Sequence, residues 1–417
     1  MYSLRIYLVI LAFAYWNFPV YMTFVPDTLN QIIYNCVPIL YIIYNQKNLR
    51  YHVNKCVHSK WFLGICFVSF FTITWTMISL ALNDSTDYSY FMKFYIVFRR
   101  IYVSVFLFFL AADVMPKKDS FVAFCYCWGW SIVFCVTFTC VVLLIPDFRM
   151  WYQPLVAYNQ KADSLTDIAM YITRFSIGGY AGFGQSIICS CSFLFSLYLI
   201  YKQYKVGILF LLFSLLGNMF YGRFGIILSL FIFLFMFIRA LSFKRFFRGI
   251  VITGTIIIMF YVSLKFINNP VLDAWKLWLL EPVEAFFTSL ELGQISFGSS
   301  GDKLAYGMYF MPSFDTLVFG DGRYLNVDGS YYMHTDAGYM RGMLYFGVIG
   351  LLFLYGIYFL LCLWGIHCSS EIYKKYMCEV ILLLLFLEEY KGDAYELFFG
   401  VIVAIVLSCY VKYDYGI

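Results

Sequence analysis

The chain has 417 residues, of which 63% are apolar, 23% aromatic and 13% charged, with a net charge of +5. A soluble domain carries roughly 25% charged residues, so this composition excludes a soluble enzyme, a disordered chain and a nucleic-acid binder. The mean hydropathy of +0.78 leaves a polytopic membrane protein. At about 20 apolar residues per span, there is room for about a dozen spans and one sizeable loop.

Apolar runs fall at 4–24, 28–45, 61–82, 94–114, 121–145, 183–201, 206–220, 224–238, 250–267, 338–363, 376–388 and 395–411. They predict an all-α polytopic protein of about 12 transmembrane helices. The first run follows a single basic residue, Arg5, and has no small-residue cleavage site before Pro26. It reads as a retained span rather than a removed signal peptide. The stretch 206–238 would be roughly 50 Å long as one helix, too long for a core near 30 Å. Its flanks are both basic, with Lys202 and Lys205 before and Arg239, Lys244, Arg245 and Arg248 after. Lys and Arg favour the cytoplasmic side, so two crossings with a turn near Gly217–Gly225 are expected.

With the N-terminus inside and twelve alternating spans, the inside segments carry a net positive charge and the outside ones a net negative charge. Both termini are then cytoplasmic. Two long loops, 146–182 and 268–337, are external, the larger between spans nine and ten. No internal repeat or Pro/Ser-rich linker appears, so 1–417 is read as one membrane domain. Nearly all of the 13 cysteines lie in apolar runs and read as small core residues. Within the larger loop, 271–292 (VLDAWKLWLLEPVEAFFTSLEL) reads as amphipathic helix broken at Pro282, and SFGSSGD, 296–302, as a turn-rich stretch.

Charges inside spans are costly and are usually functional or paired. Arg223 lies between two short spans, Arg341 one turn into span ten, Arg174 at the end of the first external loop, and Arg99 and Arg100 inside span four. The bland readings are snorkelling to lipid phosphate and ion pairing with Glu388, Glu389, Asp393 or Glu396. His334 precedes Thr335 and Asp336, which could cap span ten, and shares a face with Arg341 if that helix runs back far enough. Several Arg residues about one helix N-terminus make an anion site. At a membrane surface the anions are lipid phosphates and pyrophosphates. Transfer of a pyrophosphate-linked sugar needs a base for the acceptor hydroxyl and positive charge for the leaving group. His334 or Asp336 suits the first role and the Arg set the second. No cofactor or metal is expected.

Residues 317–361, LVFGDGRYLNVDGSYYMHTDAGYMRGMLYFGVIGLLFLYGIYFLL, resemble the loop-to-span signature of bacterial O-antigen polymerases and ligases. The turn is Phe319-Gly320-Asp321-Gly322, His334 and Asp336 hold the polar position, and Gly347 and Gly350 lie in the span. The Arg223 segment and Arg174, followed by Gly178 and Gly179, are similar to the family's other Arg sites. The ligase's usual His-Asn pair is His334-Thr335 here, which favours polymerase.

The resemblance implies a GT-C-like membrane fold and transfer of a growing polysaccharide from undecaprenyl pyrophosphate to a new lipid-linked repeat unit. It implies Arg174, Arg223, Arg341 and, more weakly, Arg323 as pyrophosphate ligands and His334 as base. It further implies the bacterial inner membrane with a periplasmic site. Partners are lipid-linked repeat units, the lipid bilayer, and a chain-length regulator and flippase; none is nucleic acid. The rivals are an O-antigen ligase and a lipid-linked oligosaccharide flippase or transporter. The second would show pseudo-symmetric halves, which this chain lacks.

Overall fold

The computed structural model describes residues 2–20, 22–116, 118–156, 175–180, 182–240, 270–292, 296, 298–393 and 396–411. Among them the protein is all-α apart from a two-stranded hairpin, β1 (Phe175–Ser176) and β2 (Gly179–Tyr180). Among the described residues five helices are long and apolar enough to cross a bilayer. They are α4 (Lys60–Leu82), α5 (Ser89–Val114), α6 (Ser120–Leu144), α8 (Phe183–Tyr201) and α14 (Gly338–Cys368). Three shorter helices are also apolar: α1 (Tyr2–Asn17), α9 (Val206–Tyr221) and α16 (Glu396–Tyr410). This is a helical membrane protein.

Every expected span except the ninth falls on a described helix; the ninth, 250–267, lies outside the described residues. The remaining helices are α2 (Asp27–Tyr44), α3 (Gln46–Val57), α7 (Pro146–Tyr152), α10 (Arg223–Ala240), α11 (Pro270–Leu292), α12 (Gly298–Tyr306), α13 (Phe314–Phe319) and α15 (Ile372–Lys391). Three sequence expectations change. Helix α1 ends at Asn17 rather than 24, because Pro19 cannot continue it. The turn-rich stretch 296–302 instead leads into α12. Helix α11 runs unbroken through Pro282.

The described parts of the chain form two compact units, one from Met1–Tyr41 and Phe106–Glu281, the other from Ile42–Val105 and Pro282–Lys412. In the first, α8 is the central element and packs against α6, α9 and α10, while α1 packs on α6. Helices apolar all round belong in an interior, and α8 fits this: every residue from Ser186 to Leu199 is buried. Its Ser and Cys side chains are small, so neighbouring backbones come close. A Cβ on Gly217 would strike Cys189, and one on Gly225 would strike Asn218.

The expected break in 206–238 falls at Gly222, whose extended backbone separates α9 from α10. Buried Asn218 ties the two together: its Nδ2 donates to the Gly225 carbonyl at 3.1 Å and to Ser229 Oγ at 2.8 Å. In the second unit, α14 packs against α4, α13, α15 and α16, and α16 against the short α3. Leu63, Phe67 and Phe70 of α4 are exposed, as suits a lipid-facing side.

Candidate functional site

The site in the second unit begins with a broken helix. The 31 residues of α14 would span roughly 46 Å, but Gly347 interrupts them at φ 69°, ψ −179°. That region of backbone space is essentially reserved for glycine. The break frees the carbonyls of Leu344, Tyr345 and Phe346, and buried carbonyls need donors. The N–H of Asp321 donates to Leu344 at 2.6 Å. Tyr345 accepts from the N–H of Gly322 at 3.2 Å and from Ser79 Oγ at 2.8 Å. Trp75 Nε1 donates to Phe346 at 2.7 Å. Gly320 has φ 75° and lies against the Tyr345 carbonyl, where a Cβ has no room. The Phe319–Gly322 turn and the glycine-containing span, two separate parts of the sequence signature, are therefore one hydrogen-bonded clasp.

The chain leaving that clasp is pinned by Asp87, in the loop between α4 and α5. Its Oδ2 accepts from the N–H groups of Tyr324 at 2.6 Å and Leu325 at 2.9 Å, and its Oδ1 from that of Ser89 at 2.9 Å. Burial alone would raise the Asp87 carboxyl, but these bonds together hold it below the usual carboxylate range. Leu325 and Tyr331 pair as a bridge, which closes a tight loop and presents Tyr324 and Tyr331 side by side.

Arg341 sits with its guanidinium 4.1 Å from the Tyr324 ring centre and 3.7 Å from that of Tyr331. Such stacking over aromatic faces favours Arg through cation–π attraction. The residue is 7% exposed. Its nearest carboxylate oxygen, Asp393 Oδ2, is 3.9 Å from Nη1, beyond hydrogen-bond reach. Lys93, in the second turn of α5, approaches the same carboxylate from another side: Nζ lies 3.1 Å from Oδ1 and donates to the Asp393 carbonyl at 2.8 Å. Tyr324 Oη donates to Asp393 Oδ2 at 2.6 Å. Burial opposes the charge of Asp393, but Lys93, Arg341 and this hydroxyl hold its carboxyl below the ordinary range. The Tyr324 hydroxyl is pushed well up, first by burial and then by Asp393. Buried Glu389 faces Tyr355, whose Oη donates to it at 2.9 Å.

In the first unit Arg223 begins α10 and is committed to α11. Its Nη1 donates to the Trp278 carbonyl at 2.7 Å and to Glu281 at 3.0 Å, and the guanidinium lies 4.8 Å from the Trp278 ring centre. Residue 282 is proline and has no N–H to bond the carbonyl four residues back, which is that of Trp278. Arg223 replaces the missing donor, and this explains why α11 continues through Pro282. Arg174 lies outside the described residues.

Helix α14 starts at Gly338 with Ala337 as its N-cap and no side-chain cap. It does not extend back to His334, and neither Thr335 nor Asp336 caps it. Thr335 donates instead to the Met308 carbonyl at 2.8 Å. His334 is exposed and has φ 56°, directly after Met333 at φ 54°. Both are in the left-handed region, uncommon for non-glycine residues and enriched where function over-determines the backbone. Asp336 and Arg323 are exposed on the same loop.

The second unit thus brings together Arg341, Lys93, Tyr324, Tyr331 and Asp393. Lys93, Asp87 and the two tyrosines were not singled out in the sequence. A lysine inside SYFMKFYIVF is the signal that marks Lys93; the tyrosines stand among 38 and carry no such mark. Among the described residues, no group of three or more His, Cys, Asp or Glu side chains is placed to hold a metal ion. A cleft of about 700 Å³ in the first unit, lined by Ile6, Ile10, Trp130, Phe134 and Phe138 among others, offers no charged group. No family model matches the chain, and no curated protein and no solved structure does so either.

Proposed function

We propose that this chain is a membrane-embedded polysaccharide polymerase of the O-antigen type. It transfers a growing glycan from undecaprenyl pyrophosphate to a new lipid-linked repeat unit at the periplasmic face of a bacterial inner membrane. The proposal includes a GT-C-like arrangement of about twelve spans with both termini cytoplasmic. One observation carries it: the residues that resemble the family signature build a clasp beside a buried, stacked arginine with hydrogen-bond donors to spare.

The chemistry follows from the charges. A hydroxyl oxygen of the acceptor sugar attacks the anomeric carbon of the donor as the bond from that carbon to the pyrophosphate oxygen breaks. The bond electrons leave with pyrophosphate, and Arg341 neutralises the growing negative charge. Arg174, Arg223 and Arg323 are the further candidates for that role. The hydroxyl proton passes to His334 or Asp336. Two strained residues on a loop make a base there adjustable on substrate binding.

The test is reconstitution. Purified protein given lipid-pyrophosphate repeat units is expected to form polymer without added metal or nucleotide. Absence of polymer, with transfer to lipid A core instead, would make the protein a ligase. Movement of the intact lipid-linked unit across a vesicle membrane would make it a transporter.

A further inference from the structure

Three features of the second unit point in one direction. Arg341 is buried, yet it spends no donor at hydrogen-bond distance on any described acceptor; a 3.9 Å approach to Asp393 and two ring faces are its contacts. A guanidinium carries five N–H donors in a planar fork. Lys93, also largely buried, stands across the same carboxylate at 3.1 Å. The ring of Tyr324 has Arg341 4.1 Å and Lys93 5.9 Å from its centre, so one aromatic wall serves both cations.

Two cations 3–4 Å from the two oxygens of one carboxylate match the spacing at which they would hold two oxygens of a phosphate. Asp393 lies in the short connection between α15 and α16 rather than inside a helix, so it can move without breaking helical hydrogen bonds. Glu389 forms no ion pair within 4 Å with either cation among the described residues; its Oε2 accepts from Tyr355, and it acts on Lys93 only as a more distant charge. Glu396 adds a more distant negative charge on Lys93.

We infer that Lys93 and Arg341 form a two-cation diphosphate site in which Asp393 is the resident counter-ion, displaced when the ligand's phosphate enters. This rests on the proposed polymerase reading for the source of the diphosphate, and it adds Lys93 as a binding residue and Asp393 as an internal competitor. The same chemistry could recognise a phospholipid headgroup, so the ligand's source is part of the test.

The experiment uses the full-length protein in detergent and reads the rise in melting temperature with inorganic pyrophosphate. The wild type is expected to be stabilised at millimolar pyrophosphate. Asp393→Asn, which keeps the shape and removes the charge, should reach half of its full shift at roughly tenfold lower concentration. Lys93→Met/Asp393→Asn, which removes one cation together with the counter-ion and so keeps the net charge of the cluster, should lose that gain, and Lys93→Arg should retain binding. An Asp393→Asn protein that binds pyrophosphate no more tightly than wild type overturns the counter-ion role. A double variant that binds as well as Asp393→Asn overturns the role of Lys93. Stabilisation by short-chain phosphatidylglycerol but not by pyrophosphate overturns the diphosphate assignment, and no stabilisation by either overturns the site. The polymerase reading fails separately, when wild-type protein makes no polymer from lipid-linked units.

Discussion

Arg223 donates to the carbonyl of Trp278 at 2.7 Å, the acceptor that Pro282 leaves without a helical donor. The contact gives this arginine a structural duty, whatever it does for a substrate. An arginine between two apolar runs is readable in the sequence; that it mends a helix more than fifty positions later is not.

The two duties can be separated. Arg223→Ala strands the Trp278 carbonyl and should cost about 1–3 kcal/mol. Pro282→Ala restores the N–H, so the double variant should regain its melting temperature in detergent. If Arg223 also grips the diphosphate, long glycan chains stay absent from that double variant. Chains of normal length there would restrict Arg223 to α11.

Arg341 should resist conservative replacement. Arg341→Ala is expected to lower turnover 10²–10³-fold, on the order of 3–4 kcal/mol of transition-state stabilisation. Arg341→Lys should recover little, because an ammonium lacks the broad guanidinium that reaches both the Tyr324 and the Tyr331 ring and still presents a fork of donors. Reconstituted polymerisation rates measure both, and a fully active lysine variant would refute the stacked-fork geometry.

Gly347→Ala should fail at assembly rather than chemistry. The φ of 69° disfavours any side chain, and a Cβ would collide with the Val318 carbonyl. A loss of about 1–3 kcal/mol from backbone strain alone is expected, seen as a lower melting temperature and as protease cleavage between Phe319 and Tyr332. Unchanged protection would mean that the turn is held by other contacts.

The Asp87 anchor predicts a pH effect. Its carboxyl is lowered from 3.8, so its contribution to stability is present in full above about pH 4 and is lost as pH falls through the lowered value. Asp87→Asn should remove that acid-dependent step and destabilise the loop by about 1–3 kcal/mol at neutral pH. Melting curves of wild type and variant between pH 3 and 7 compare the two directly; parallel curves would exclude Asp87 as the anchor.

For the base, His334→Ala alone should slow polymerisation less than His334→Ala/Asp336→Ala if the two share the role. A full-length glycan ladder from the double variant would end the assignment.

Hydrophobic run length located the helices because a span must cover a fixed apolar thickness and satisfy its own backbone. For the same reason the break at Gly222 was legible from run length and flanking charge. Helix α3 was not: QKNLRYHVNKCV is largely polar, and its place against α16 depends on a partner far along the chain. The signature at 317–361 was visible as spaced glycines, but their purpose was not. Gly320 and Gly347 matter because each lies against the backbone of the other's segment, and such a contact has no trace in spacing.

By itself, then, the sequence determined an all-helical membrane chain, the positions of its long apolar helices and a short roster of costly charges. Local physics suffices there, since burial in lipid and helical hydrogen bonding act over a single run. Tertiary structure alone decided which charges meet: Arg341 with Lys93 and Asp393, Arg223 with Glu281. Pairing energies depend on distance and on removal from water, and both are set by packing between segments that the order of residues leaves far apart.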